Sequence, residues 1–82
     1  MVIKVLGPGC ARCHQIEQTA KEVVKELGIE ATIEEVKDIK KIMAYPILTT
    51  PGLVVNEQLV CSGRVPTKAE VITFITTALA KE

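Results

Sequence analysis

The chain has 82 residues, of which 48% are hydrophobic, so it can fill one small core and is too apolar for a disordered segment. Ten basic residues balance ten acidic ones, which argues against nucleic acid and anionic membranes as main partners. No apolar run is long enough to span a bilayer, and no signal peptide is visible. We therefore expect one domain over residues 1–82, monomeric and cytoplasmic.

The first half of the chain predicts a strand, a long helix and a second strand. Residues 2–6 are nearly all apolar, as in a strand buried on both faces. A helix begins near Ala11, and its apolar stripe has spacings of three and four: Cys13, Ile16, Ala20, Val23, Val24 and Leu27. Gly28 is placed for a left-handed C-cap, and residues 29–37 alternate as a strand. A strand, a crossover helix and a strand form a βαβ unit, so these two strands should be parallel.

The second half predicts a short helix and a hairpin. Asp38 can cap a helix that Pro46 ends and whose apolar face is Ile39, Ile42 and Met43. Residues 53–55 and 59–62 are predicted to be antiparallel strands joined by a tight link of two residues, Asn56-Glu57.

The last element is a helix over residues 67–79, with a capping box made by Thr67 and Glu70. Its predicted buried face is Val71, Ile72, Ile75, Ala78 and Leu79, with Phe74 at the margin. The order is thus β-α-β-α-β-β-α, which indicates an α/β domain with a mixed four-stranded sheet flanked by helices.

Two cysteines, Cys10 and Cys13, lie where the first strand is joined to the first turn of the first helix. Unpaired backbone N–H groups and the helix dipole would stabilise a thiolate at Cys10, and Arg12 adds a positive charge. Cys13 is one turn further on, so it can close a short disulfide with Cys10. Dithiol redox chemistry is therefore favoured over metal binding and over an inert pair of core cysteines.

Two further residues have a chemical and a structural interpretation. His14 completes the Cys-x-x-Cys-His string of c-type haem attachment, but without an export signal we interpret it as an exposed residue of the first turn. Cys61 alternates with Leu59 along a strand, which favours a small buried core residue over an auxiliary thiol. Helical spacing also assigns Met43 and Phe74 to the core.

Residues 7–13 read Gly-Pro-Gly-Cys-Ala-Arg-Cys, and they are followed by Thr-Pro-Gly-Leu-Val-Val-Asn at 50–56 and Ser-Gly-Arg-Val-Pro at 62–66. In this order and spacing they resemble the small thioredoxin-like family called redox-active disulfide protein 2, over essentially the whole chain. The resemblance implies a minimal thioredoxin fold, with Cys10 as the attacking thiol and Cys13 as the resolving one. It also implies that the Thr50-Pro51 bond is cis and that Pro51 packs against the disulfide.

The cysteine pair and the resemblance together predict a thiol–disulfide oxidoreductase, an electron-transfer protein that reduces disulfides in target proteins. We expect no cofactor beyond the Cys10–Cys13 disulfide, and an electron donor that is either glutathione or a thioredoxin-reductase-like enzyme. Thr50, Pro51 and Arg12 are the predicted substrate-binding residues. The sequence does not identify the proton acceptor for Cys13. Lys4 and Glu35 are the only ionisable candidates on the flanking strands, and neither is favoured.

The alternative function is a metal-binding or metallochaperone module that uses the same cysteine pair. Small heavy-metal-binding domains also place Cys-x-x-Cys between a first strand and a first helix. They end in a strand, however, whereas residues 67–79 predict a capped helix. A four-thiolate zinc site would also need a second cysteine pair, and this chain has only Cys61 in addition.

Overall fold

The computed structural model describes residues 1–7, 11–47 and 49–81. Along the chain these form β1 (Val2–Leu6), α1 (Ala11–Leu27), β2 (Thr32–Val36), α2 (Ile39–Ile42), β3 (Gly52–Val55), β4 (Gln58–Ser62) and α3 (Lys68–Lys81). The strands lie in the order β2-β1-β3-β4, and β1 is parallel to β2 and antiparallel to β3. The predicted element order and the parallel βαβ unit are therefore confirmed.

One face of the sheet is covered by α1 and α3. Alternate residues of β1, here Ile3 and Val5, point to this face because side chains along a strand alternate. The buried residues on this side form the cluster that we call the helix-pair core: Ile3, Val5, Cys13, Ile16, Ala20, Val23, Leu53, Val55, Cys61, Val71 and Ile75. Burial of this apolar surface is the main source of stability for the domain.

The other face of the sheet carries a much smaller cluster, which we call the α2-side cluster. Its buried members are Leu6, Ile42 and Val54. Met43 is 74% exposed, so its predicted place in the core is wrong. The reason is the length of α2, which has four residues and therefore buries only Ile42 against the sheet.

The C-terminus of α1 is closed by the predicted glycine cap. Gly28 has a φ of +65°, a left-handed conformation that glycine adopts without a Cβ clash. Its N–H donates to Lys25 O (3.2 Å), and the N–H of Ile29 donates to Val24 O (3.3 Å), the bond pattern of a Schellman motif. Because Ile29 belongs to this cap, β2 begins at Thr32, later than predicted.

The β3–β4 hairpin turns at Asn56 and Glu57, which both have a positive φ (49° and 67°), as a type I′ hairpin turn requires. A bulge then interrupts the pairing, since Val54 lies opposite Leu59 but Leu53 lies opposite Cys61. Val60 is therefore the additional residue of β4. Cys61 is buried as predicted, but in the helix-pair core, whereas Leu59 contacts the α2-side cluster. The predicted regular alternation of Leu59 and Cys61 along the strand is wrong, because the bulge places the two side chains on opposite faces of the sheet.

The start of α3 has the predicted capping box. Thr67 Oγ1 accepts from the N–H of Glu70 (3.2 Å), and Glu70 Oε1 accepts from the N–H of Thr67 (3.1 Å). The Glu70 carboxylate also forms an ion pair with Arg64, in the preceding loop. Phe74 is half-buried beside the helix-pair core, as its position at the margin of the helix face predicted.

Candidate active site

Cys13 lies in the first turn of α1 and belongs to the helix-pair core, with 2% of its surface exposed. Arg12, its predecessor on the same turn, is exposed. Cys10, the predicted attacking thiol, lies outside the described residues. The structure therefore describes the predicted resolving thiol and its surroundings, and these show a sulfur almost completely removed from solvent.

The sulfur of Cys13 lies against the backbone at the end of β1. Gly7 continues the pairing of β1 with β2 by one residue, because its N–H donates to Val36 O (3.0 Å). A Cβ built on Gly7 would overlap the Sγ atom of Cys13. Only a residue without a side chain leaves the sulfur at this position.

The segment before β3 reaches the same end of the sheet. Leu6 lies opposite Gly52 in the antiparallel pairing of β1 with β3, so the next residues along this register are Gly7 and Pro51. Pro51 is fully buried, its peptide bond with Thr50 is cis, and Thr50 is exposed. The Pro51 carbonyl accepts a hydrogen bond from the N–H of Gly63 (2.8 Å). Cys13 and Pro51 thus lie at the same end of the sheet.

Lys4 lies on the other face of the sheet from Cys13. Its neighbours Ile3 and Val5 point into the helix-pair core, so the Lys4 side chain points to the α2 side. There Nζ donates to Glu57 Oε1 (2.8 Å) and to the Tyr45 hydroxyl (3.1 Å), and these bonds raise the Lys4 pKa, the bond to Glu57 most. This position removes Lys4 as a direct proton acceptor for Cys13.

Glu35 lies on the same face as Cys13, because it pairs in parallel register with Val5. Its carboxyl interacts with that of Glu17, the residue one turn after Cys13 on α1. Glu17 Oε2 is buried and accepts no hydrogen bond from the described residues. The interaction with the Glu35 side chain, followed by the hydrogen bond from Lys21, lowers the Glu17 pKa.

The sequence analysis missed Glu17, which lies one helical turn after Cys13 on α1. Its spacing of four residues from Cys13 is the signal that could have identified it. Its other carboxylate oxygen forms an ion pair with Lys21 Nζ (2.8 Å). The Glu17 and Glu35 carboxyls thus add negative charge one helical turn after Cys13, and Lys21 lies on their outer side.

Three side chains near this site offer ligand atoms of the kind that metals bind. One donor atom each of His14, Glu17 and Glu35 lies within 4.8 Å of the others. Lys21 and Lys37 already pair with the two carboxylates, and the His14 ring contacts Gln18 at 3.0 Å. These partners therefore already occupy much of the hydrogen-bonding and ion-pairing capacity of the three side chains.

Cys61 lies elsewhere in the helix-pair core, on β4. It is 8% exposed, and its Sγ lies 3.8 Å from the Arg64 carbonyl oxygen, to which it donates. Burial raises the pKa of this thiol, which favours its neutral form. These observations support the interpretation of Cys61 as a core residue.

Comparison with known proteins agrees with this arrangement. Residues 1–76 match the model of a family described as a thioredoxin domain. The chain belongs to the thioredoxin domain family. A thioredoxin of Methanothermobacter thermautotrophicus is 42% identical over 71 residues, which cover 87% of this chain and 92% of the relative. A thioredoxin of Methanocaldococcus jannaschii is 35% identical over 71 residues, covering 87% of this chain and 81% of the relative.

The match supports a small thioredoxin-like protein, and the narrower redox-active disulfide protein 2 family stays a prediction. The metallochaperone alternative is not favoured, because the relatives are thioredoxins and the last described element is α3 instead of a strand. Among the described residues, no helix combines the length and the apolar character that crossing a membrane requires.

Proposed function

We propose that this thioredoxin-family chain is a thiol–disulfide oxidoreductase that reduces disulfides in target proteins with the Cys10–Cys13 pair. The main support is the placement of Cys13, whose sulfur lies in the first turn of α1 against Gly7 and on the same end of the sheet as Pro51. The family membership and the Cys-x-x-Cys spacing support the same conclusion.

The proposed reaction has two exchange steps. The Cys10 thiolate attacks one sulfur of the target disulfide, a mixed disulfide forms, and the other target sulfur leaves as a thiolate. Cys13 then loses its proton and attacks Cys10 Sγ, so the Cys10–Cys13 bond forms while the bond from Cys10 to the target breaks. The target gains two electrons, and its thiolates take up two protons. Glutathione or a thioredoxin-reductase-like enzyme would return two electrons to the pair.

The burial of Cys13 suits the second step better than the first. Because 2% of the residue is exposed, a target disulfide cannot approach its sulfur directly. A thiol in apolar surroundings also holds its proton more strongly than one at an exposed helix start. Cys13 would therefore react only with a disulfide that is already bonded to the adjacent Cys10.

Thr50 and Arg12 are proposed to hold the target chain. Thr50 is exposed directly before the buried Pro51, so its backbone groups can pair with an extended target segment. Arg12 is exposed beside Cys13 and can contact the target from α1. We propose that the targets are cytoplasmic proteins and that the chain acts as a monomer without a further cofactor.

Reduction of a disulfide-containing protein such as insulin, driven by dithiothreitol, tests this function. We expect Cys10→Ser to lose at least about a hundredfold in rate, because the attacking thiolate is missing. Pre-reduced Cys13→Ser, mixed with the target after removal of dithiothreitol, should accumulate a mixed disulfide that mass spectrometry detects. Cys61→Ala is the matched control and should keep the wild-type rate. Undiminished reduction by Cys10→Ser would refute the mechanism.

A further inference from the structure

We infer that Gly7 is a positioning residue for the Cys13 sulfur and that its missing side chain sets the rate at which Cys13 resolves a mixed disulfide. The inference rests on the proposed function and extends it to a residue outside the Cys-x-x-Cys motif. It starts from the overlap between a Cβ on Gly7 and Sγ of Cys13.

The backbone at Gly7 cannot move away from the sulfur. Its N–H donates to Val36 O, which continues the ladder between β1 and β2. Leu6, the residue before it, is fully buried and pairs with both Val36 and Gly52. A displacement of Gly7 would therefore break its hydrogen bond to Val36 and disturb Leu6, which pairs with both neighbouring strands.

The backbone of Cys13 is fixed as well. Ile16 and Ala20 follow it on the buried stripe of α1, and both have no exposed surface. Within a helix a side chain has essentially two χ1 wells, because the third clashes with the preceding turn. An added methyl group on Gly7 would therefore drive Sγ into a different well instead of shifting it slightly.

The requirement at Gly7 is for space and not for an unusual backbone conformation. Its φ lies outside the left-handed range, so alanine can adopt the same backbone geometry. The atom that a Cβ would overlap is Cys13 Sγ, while Cys13 Cβ lies at an ordinary contact distance of 3.5 Å. Among the described residues, Gly7→Ala therefore displaces the Cys13 sulfur atom.

A two-step reaction with an aromatic disulfide measures the consequence. Reduced protein in a Cys61→Ala background is mixed with 5,5′-dithiobis(2-nitrobenzoate), and the first thionitrobenzoate released reports the adduct on Cys10. Cys13 then attacks Cys10 Sγ, and the second thionitrobenzoate leaves as a thiolate while the Cys13 proton goes to solvent. We expect Gly7→Ala to slow this second release by about tenfold to a hundredfold, as for a reacting group misplaced by about 1 Å.

Gly28→Ala is the matched control. A Cβ there would meet no atom within 4 Å, but the φ of +65° strains any side chain, so this variant loses stability far from the thiols. Its second release should keep the wild-type rate. An unchanged rate in Gly7→Ala, or equal slowing in both variants, would overturn the inference. Absence of a second release in the wild type would instead refute the proposed function itself.

Thermal unfolding of the reduced protein tests the contact independently of redox chemistry. We expect Gly7→Ala to lower Tm by about 5 °C or more in the wild type and by much less in a Cys13→Ala background, where Sγ is absent. If Gly7→Ala does not fold, recovery of folding in Gly7→Ala/Cys13→Ala supports the contact. A double variant that is no more stable than Gly7→Ala would contradict it.

Discussion

The two faces of the sheet are stabilised in different ways. Among the described residues, the helix-pair core contains eleven buried side chains from β1, β3, β4, α1 and α3, whereas the α2-side cluster contains three. On the α2 side, polar contacts also connect the elements of the fold. Lys4 on β1 donates hydrogen bonds to Tyr45 and to the hairpin residue Glu57. Cys13 belongs to the densely packed face. Most of the buried apolar side chains that the structure describes therefore lie on the face that holds the Cys13 sulfur.

The largest expected difference between the faces is the effect of core truncation. Ile75→Ala opens a cavity in the helix-pair core and should lower the free energy of unfolding by about 4 kcal/mol. Ile42→Ala, in the thinner α2-side cluster, should cost about 2 kcal/mol, the low end for such changes. Urea denaturation gives both values. Equal losses would show that the two faces contribute alike.

The helix caps provide a second comparison. Thr67→Ala removes the cap of the fourteen-residue α3 and should cost about 1 kcal/mol. Asp38 accepts from the N–H of Lys40 (3.0 Å) at the start of the four-residue α2, and Asp38→Ala should cost only about 0.5 kcal/mol. The same denaturation experiment measures both, and a larger loss at Asp38 would contradict the ranking.

Acid titration compares two carboxylates, that of Glu70 at the start of α3 and that of Glu57 in the hairpin turn. The Arg64 ion pair and the Thr67 N–H lower the pKa of Glu70 to about 2, and Lys4 lowers the Glu57 pKa, with Tyr45 contributing less. A lowered pKa in the folded state stabilises the protein above the unfolded value of 4.5, and this gain is lost as the pH falls towards the folded value. Glu70→Gln should therefore lower Tm by a few degrees at pH 7, and its difference from the wild type should shrink between pH 4.5 and pH 2.

Glu57→Gln should show the same direction with a smaller change, because its carboxylate is more exposed than that of Glu70 (67% against 35%). Thermal unfolding monitored by circular dichroism at several pH values distinguishes the two. A Tm difference for Glu70→Gln that persists undiminished at pH 2 would mean that the loss is steric and not electrostatic.

The smallest expected effect is at Met43. Its side chain is 74% exposed beyond the end of α2, so Met43→Gln should change the free energy of unfolding by less than about 0.5 kcal/mol. A loss above about 1 kcal/mol would show that this methionine packs as a core residue does.

The sequence was sufficient for the element order because long periodic segments report burial directly. The stripe at Ile16, Ala20 and Val23 and the capping box at Thr67 depend on neighbours within a few residues, and both were predicted correctly. Met43 was assigned wrongly because helical spacing predicts one face of a helix but not the length of a helix of only four residues.

Long-range arrangement explains the remaining differences at the site. The face of Lys4 and the contact between Glu17 and Glu35 depend on which strands become neighbours, and local pattern does not contain this information. The contact of Gly7 with Cys13 was not predicted, because a glycine has no side chain whose chemistry could indicate a partner. The sequence located Cys13 and Pro51 but not the contact of Gly7 with the Cys13 sulfur.

Because of its bulge, β4 can lose one residue without exchanging its two faces. Val60 and Cys61 follow each other and both contact the helix-pair core, while Leu59 contacts the opposite cluster. Deletion of Val60 would make Leu59 and Cys61 adjacent, and ordinary alternation would then keep each on its present face. In a sequence alignment, a gap of one residue at the bulge would therefore leave the faces of the flanking side chains unchanged. The same gap in β3 would exchange the two faces of a strand that is buried on both sides.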